Sequence, residues 1–169
     1  TVYQGLQEPA DSYFSWRVPG TDVGIAPYPR DLEEAGRLLE EAGWVYGEGE
    51  SVRSKNGQKL ELSLVYDASI AGNSQVGEHL KAQYEAVGIQ LDVVPQETPD
   101  WNESWRTGQF DLLLSRTWGI PYEPYGSFFC MAFPGDKFYL VQSGMSGKQE
   151  LDVIMKDTLG QNDGERMKE

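Results

Sequence analysis

The sequence predicts an α/β protein built on a small, mainly parallel sheet flanked by helices. Residues 60–66 alternate leucines with polar side chains, as a strand does, and residues 75–87 place apolar side chains at helical spacing. Residues 89–94 alternate again, which completes a β-α-β unit, and such units cross over right-handedly to give parallel strands. A further helical segment at 99–107 leads to an apolar run at 110–115, which we interpret as a strand buried on both faces.

The segments before this unit differ from it in composition. Residues 1–30 hold prolines and glycines among scattered aromatics, which predicts an irregular lead-in. Residues 31–42 place leucines and alanines at helical spacing, and Asp31 is typical of an N-cap. Residues 46–59 are polar and rich in glycine, and their Asn-Gly pair indicates a hairpin or a loop.

The strand at 110–115 is followed by a stretch that cannot continue it. Three helix- and strand-breaking residues interrupt the pattern, and between them lie side chains that donate, accept or stack: Arg116, Trp118, Tyr122, Glu123 and Tyr125. Open α/β sheets bind their ligands at the carboxyl ends of their strands. We therefore interpret this aromatic loop as part of a ligand site.

The C-terminal part of the chain holds one clear helical pattern, at residues 148–159. Residues 127–139 are aromatic and apolar without a period, and a link with glycines follows at 142–148. Asp163 resembles an N-cap with too little chain after it for a helix, so we expect a truncated piece of a longer protein. The predicted division is an irregular lead-in at 1–30, an α/β ligand-binding lobe at 31–143, and a linker with C-terminal helices at 144–169.

The net charge of −13 argues against several classes of function. Without a cluster of lysines and arginines, binding to nucleic acid or to an anionic membrane surface is disfavoured. No apolar run reaches the ~20 residues that a membrane-spanning helix needs. Cys130 is the single cysteine, so no disulfide forms within the chain, and we expect it to be a buried apolar filler.

Three other side chains that could bind a ligand have a structural interpretation. Trp101 and Trp105 are four residues apart in the helical segment at 99–107, and we expect them to pack in the core rather than to face a ligand. His79 is the only histidine, and a lone histidine without convergent ligands does not make a metal site. We expect it at the surface of its helix or at the boundary between the surface and the core.

Several of these motifs resemble one known family. The helix ending in Ala42-Gly43-Trp44, the β-α-β unit and the run FDLLLSRTWGIPYEPYGSFFCM are similar to the extracytoplasmic solute-binding proteins of peptide and nickel ABC importers, family 5. The run Arg116-Thr117-Trp118-Gly119 with Pro121-Tyr122 is similar to the nickel-binding branch. The resemblance extends from about Pro9 onward and implies one lobe of a two-lobe periplasmic-binding-protein-like fold, with this chain as most of the C-terminal lobe.

The resemblance also implies roles for particular residues. In the nickel-binding pattern Trp118 and Tyr122 line the ligand cleft and pack against a metal held by a small organic chelator. A histidine further along can bind the metal in that branch, but the corresponding MAFPGDKF here has none, and Asp136 stands nearest to that position. A carboxylate is a poorer partner than imidazole for a nickel-class ion. The candidate ligand-binding residues are Trp118, Tyr122, Arg116 and Tyr125, with Asp136 as the metal candidate.

An enzyme is the alternative from another class. Asp111 and Glu123 with neighbouring aromatics suggest a carbohydrate-active enzyme, whose two carboxyl groups lie ~5 to 9.5 Å apart. A strand of about five residues between them spans ~16 Å, which is too far. Arg116 has two interpretations as well, since it could bind an anionic ligand or hold the loop to Asp111 or Glu123.

We therefore expect a binding protein and not an enzyme. The resemblance implies capture of nickel or a metal chelate in an interlobe cleft, with the closed form recognised by the membrane subunits of an ABC permease; a di- or oligopeptide ligand is the alternative. It implies a periplasmic or lipid-anchored location outside the cytoplasm. No cofactor is expected besides the transported nickel or nickel chelate.

Overall fold

The computed structural model describes residues 12–14, 18, 21–22, 24–116 and 124–160, and these fall into two units. The first unit comprises Tyr28–Ser104 and Gln109–Ser115. The second contains Trp105–Gly108 and residues 124–160.

The first unit begins with a helix and a small antiparallel sheet. Helix α1 (Leu32–Glu41) has Asp31 as its N-cap, as predicted, because one carboxylate oxygen accepts from the amides of the second and third residues after it at 3.0 and 2.9 Å. Strands β1 (Val45–Tyr46), β2 (Arg53–Lys55) and β3 (Gln58–Lys59) then pair in that order. The Asn-Gly pair forms the turn between β2 and β3, so the hairpin is confirmed.

The parallel sheet follows, in the β-α-β arrangement that the sequence predicts. Its elements in chain order are β4 (Glu61–Asp67), α2 (Asn73–Glu85), β5 (Gln90–Gln96), α3 (Thr98–Thr107) and β6 (Leu112–Leu113). Both strand pairs are parallel and the order is β5-β4-β6, so β4 is the central strand. The predicted α/β class with a small parallel sheet is confirmed.

The core of this unit lies along the central strand. Leu64, Val65 and Tyr66 are consecutive on β4 and all buried, so both faces of this strand are covered, and Leu91 on β5 is fully buried. Helix α2 approaches the sheet closely at Gly77, where a Cβ atom would lie 2.7 Å from a methyl group on β5. The tight approach requires a residue without a side chain at that position.

Two strand predictions need correction. We placed the end of β5 before Pro95, but the strand continues through it, and Pro95 pairs in register with Tyr66. An edge strand accepts proline because one side of its backbone has no ladder partner. The run at 110–115 forms only the two-residue β6, and its leucines are half-buried, because β6 is the other edge of the sheet and is not covered on both sides.

The second unit is helical and less fully predicted. It contains α4 (Tyr125–Ala132), α5 (Lys137–Leu140) and α6 (Lys148–Gly160). Only α6 was expected from the sequence, since the residues of α4 and α5 show no clear apolar period. The suggested N-cap at Asp163 lies outside the described residues.

Aromatic side chains form part of the core in each unit, as predicted. Trp101 is buried in the first unit and Trp105 in the second, with exposed fractions of 9% and 5%. The ring of Trp105 meets Phe138 edge-on with centroids 4.8 Å apart, and the ammonium of Lys137 lies 3.9 Å from the Trp105 centroid. These contacts anchor α5.

We expect Gly88→Ala to lower the free energy of unfolding by about 2 kcal/mol. Gly88 has a φ of +82°, and an added Cβ would lie 2.5 Å from the hydroxyl oxygen of Tyr46. Gly57→Ala is the matched control, because its φ is +81° but nothing lies within 4 Å of the added atom. Urea unfolding of both variants measures the difference. Equal losses would mean that backbone strain alone accounts for the effect and that Tyr46 moves aside freely.

Candidate functional site

The carboxyl edge of the parallel sheet is where this fold places a ligand. The chain leaves β4 for β5 on one side and then crosses to β6 on the other, so the strand order reverses at the centre. Ligands of open α/β sheets bind outside the carboxyl ends of the strands at such a switch point. Three short segments meet that description: one follows Asp67, the last residue of β4, one begins at Glu97 after β5, and one begins at Leu114 after β6.

Asp67 is the most tightly bonded of these residues. It is the last residue of β4 and is 4% exposed. Its Oδ1 accepts hydrogen bonds from the amide and the hydroxyl of Ser69 at 2.9 and 2.7 Å. The hydroxyl of Thr98, the first residue of α3, reaches both carboxylate oxygens at 3.0 to 3.1 Å. The carboxylate therefore links the segment after β4 to the first turn of α3.

The backbone carbonyl of Asp67 contacts the other helix, α2. Its carbonyl oxygen accepts from the side-chain amide of Asn73, the first residue of α2, at 3.2 Å. Helix α2 has Gly72 as N-cap, with no side-chain cap hydrogen bond. One residue therefore positions the beginnings of both helices at the carboxyl edge of the sheet.

Of the predicted ligand-binding residues, the structure describes Arg116 and Tyr125, both in the second unit. Trp118 and Tyr122, together with Glu123, lie outside the described residues. Arg116 is exposed, and Tyr125 is the first residue of α4 and is 56% exposed. Both side chains are thus accessible at the two ends of the predicted loop, where a ligand could reach them.

Asp136, the metal candidate, is already engaged by its own helix. It is the N-cap of α5, and its Oδ1 accepts from the amide of Phe138 at 2.8 Å. Burial raises the pKa of the Cys130 thiol, and the nearby carboxylate of Asp136 raises that pKa further. A protonated thiol is a poor metal ligand. Among the residues that the structure describes, no group of three or more histidine, cysteine, aspartate and glutamate side chains could hold a metal ion.

The structure also describes the remaining candidates, Asp111, His79 and Cys130. Oδ2 of Asp111, one of the two carboxylates considered for a glycosidase, accepts from the amide and hydroxyl of Ser63, both at 2.8 Å. His79 is exposed on α2, in agreement with the prediction. Cys130 is only partly buried, so the expectation of a buried filler is wrong in degree.

Sequence reasoning missed Asp67. No site is predicted from the sequence in the segment after residues 60–66, although an acidic residue directly after the apolar pair Val65-Tyr66 is a usable signal. A carboxylate at the end of a central strand must find donors because it is buried with the strand. The serine two residues on could supply them through a local side-chain turn.

The fold belongs to a class in which ligands bind outside the carboxyl ends of the strands, namely the α/β lobes of ligand-binding proteins. Residues 1–139 match the family described as bacterial extracellular solute-binding proteins, family 5 Middle. The chain belongs to this family of solute-binding proteins.

Individual relatives represent both the nickel and the peptide branches. The chain is 30% identical over 159 residues to the nickel-binding periplasmic protein of Escherichia coli (strain K12), covering 94% of this chain and 30% of that protein. It is 31% identical over 88 residues to the oligopeptide-binding protein OppA of Lactococcus lactis subsp. lactis (strain IL1403), covering 50% of this chain and 14% of that protein.

A solved structure is similar over nearly all of the chain. It is the crystal structure of NikA from Brucella suis in complex with Fe(III)-EDTA, with a TM-score of 0.87 and 31% identity, covering 94% of this chain and 32% of that one. The chain therefore spans about a third of the length of the Escherichia coli and Brucella suis proteins. None of the described helices is long and apolar enough to cross a membrane.

Proposed function

We propose that this chain is part of the substrate-binding subunit of an ABC importer, and that it captures nickel or a metal chelate in a cleft between two lobes. The 30% identity to a nickel-binding periplasmic protein over 94% of the chain carries this proposal. The protein would act outside the cytoplasm, in the periplasm or on a lipid anchor. Its partners would be the ligand and the membrane subunits of a permease, which recognise the closed form.

The contribution of this lobe would be the wall formed by the aromatic loop. Trp118 and Tyr122 would pack against the ligand, and the exposed Arg116 and Tyr125 would provide hydrogen bonds at its ends. Direct coordination of the metal by Asp136 is less favoured, because that carboxylate caps α5. A metal that arrives inside an organic chelator needs few ligands from the protein.

A short peptide is the second candidate ligand. The similarity to an oligopeptide-binding protein over half of the chain favours it, and so does the absence of a histidine near Asp136. Catalysis by the carboxylate pair is disfavoured, because Asp111 is bonded to β4 through Ser63 and the family is one of solute-binding proteins.

Tryptophan fluorescence of the full-length protein distinguishes the two ligands. We expect a saturable change on titration with Ni²⁺ plus free histidine and none with a mixture of di- to pentapeptides. Trp118→Ala should remove most of this signal and weaken binding by about tenfold or more, because a large aromatic contact is lost. Trp44→Phe is the matched control, since Trp44 follows α1 and should leave affinity unchanged.

Two results would contradict the metal-chelate proposal. A response to peptides alone would assign the protein to the peptide branch. A nickel response of full size in Trp118→Ala would show that the aromatic loop is not the site. The 169-residue chain alone should bind the nickel-histidine complex weakly, because half of a cleft leaves much of the ligand in water.

A further inference from the structure

A buried carboxylate occupies the carboxyl edge of the sheet. Asp67 is 96% buried, and its carboxylate accepts hydrogen bonds from the Ser69 amide, the Ser69 hydroxyl and the Thr98 hydroxyl, the last of which reaches both oxygens. Hydrogen bonds to a charged acceptor are about twice as strong as neutral ones. The surrounding groups are therefore arranged for a negative charge at this point.

The same place is where an α/β sheet attracts anions. The first residues of α2 and α3, Asn73 and Thr98, both bond to Asp67. The beginning of a helix carries a partial positive charge and free amide groups, which favour a carboxylate or a phosphate. In this chain the negative charge that the helix beginnings favour is supplied by the carboxylate of Asp67, a residue of the protein itself.

We infer that Asp67 acts as a built-in anion that excludes anionic ligand groups from the switch point of this lobe. Asp67 is thus a specificity-determining residue, and the part of a ligand that faces this edge is neutral or positively charged. This consequence for the ligand rests on the proposed binding function. The presence of an internal anion does not rest on the proposed function, and it can be tested without any transported ligand.

Removing the carboxylate should create a site for a small anion. In Asp67→Ala the hydroxyls of Ser69 and Thr98 and the amide of Ser69 remain, and the space of the carboxylate is open to formate. We expect formate to raise the melting temperature of this variant saturably, by roughly 3 °C once its concentration exceeds Kd about tenfold. Chloride at the same ionic strength should have no such effect, and the wild type should not respond to either salt beyond a common small shift.

Asp111 supplies the matched control. Its carboxylate also accepts from the amide and hydroxyl of one serine, but it stands before β6 and not at the carboxyl edge. Asp111→Ala removes the same unit of charge and should show no response to formate. Comparing the formate responses of the two variants distinguishes the loss of a negative charge at the carboxyl edge from a general effect of reducing the net charge of −13.

The outcomes decide the inference in each case. A formate response in Asp67→Ala alone, or folding of that variant only in formate, supports it. Failure of Asp67→Ala to respond, or an equal response of Asp111→Ala, overturns it. If the alanine variant does not fold at all, Asp67→Asn is the deciding variant, because it keeps the shape of the side chain. A melting temperature of Asp67→Asn that is no lower than that of Asp111→Asn overturns the inference. A clearly lower melting temperature supports it. None of these results depends on whether the transported ligand is a chelate or a peptide.

Discussion

Arg53→Ala should lower the free energy of unfolding of the first unit by about 3 kcal/mol. Arg53 is 4% exposed, and its guanidinium donates to the carbonyls of Val87 and Trp44 at 2.9 and 3.0 Å. It also reaches Glu40 at 3.2 Å and lies 4.2 Å from the ring centroid of Tyr46. One side chain thus joins α1, the antiparallel sheet and the segment before β5, and its removal leaves two carbonyls without these donors.

Arg37→Ala is the matched control for this prediction. Arg37 makes side-chain hydrogen bonds to Glu34 and Glu41 on the same helix, but its side chain is 52% exposed. Exposed ion pairs contribute little, because water and salt screen them and the side chains lose entropy in forming them. Urea unfolding at neutral pH should show a large loss for Arg53→Ala and almost none for Arg37→Ala. Similar losses for both would mean that Arg53 acts only as another surface charge.

Asp152→Asn should have the largest effect on stability in the second unit. Lys148 and Asp152 are both buried and form an ion pair one turn apart on α6. The ammonium also donates to the carbonyl of Met131 at 3.1 Å and lies 4.1 Å from the ring centroid of Tyr139. Removing one partner of a buried pair is strongly destabilising, because the other charge stays buried without its counter-charge. We expect a fall in melting temperature well beyond that of Glu150→Gln, an exposed acid on the same helix.

The pair also predicts how stability changes with pH. The hydrogen bond from Lys148 lowers the pKa of Asp152 below its usual range, against the opposing effect of burial. A lowered pKa in the folded state means that the stabilisation is present above the unfolded value, about 3.9, and is lost as the pH falls through the folded pKa. The difference in melting temperature between the wild type and Asp152→Asn should therefore shrink below about pH 4. A difference that stays constant from pH 7 to pH 3 would contradict this account.

The part of the fold that the sequence predicted best is the part with local signals. Asp31 marks the start of α1, and the Asn-Gly pair marks the hairpin, because each acts on its own neighbours in the chain. The alternation of apolar and polar residues at the start of β4 and along β5 predicts strands, because successive side chains of a strand point to opposite faces. The helices α4 and α5 were missed, since their aromatic residues are distributed over exposed and buried faces alike.

In the candidate site, too, the sequence predicts only what local signals indicate. The aromatic loop with Arg116 and Tyr125 is predicted from the sequence because glycine and proline interrupt a strand at a recognisable place. Asp67 was not found, because its partner Thr98 is thirty-one positions away along the chain. No local pattern connects two residues that meet only when β4 and α3 lie side by side.

The sequence by itself determined the α/β class, the order of β4, α2 and β5, the acidic surface and the resemblance to solute-binding proteins, because these depend on periodicity, charge and motifs within short segments. Only the tertiary structure decided that β4 is the central strand, that Arg53 is a buried connection and that Asp67 occupies the carboxyl edge. Each of these depends on which distant segments pack together. A polar group contributes strongly to stability only where packing buries it, because a buried polar group without a hydrogen-bond partner is costly.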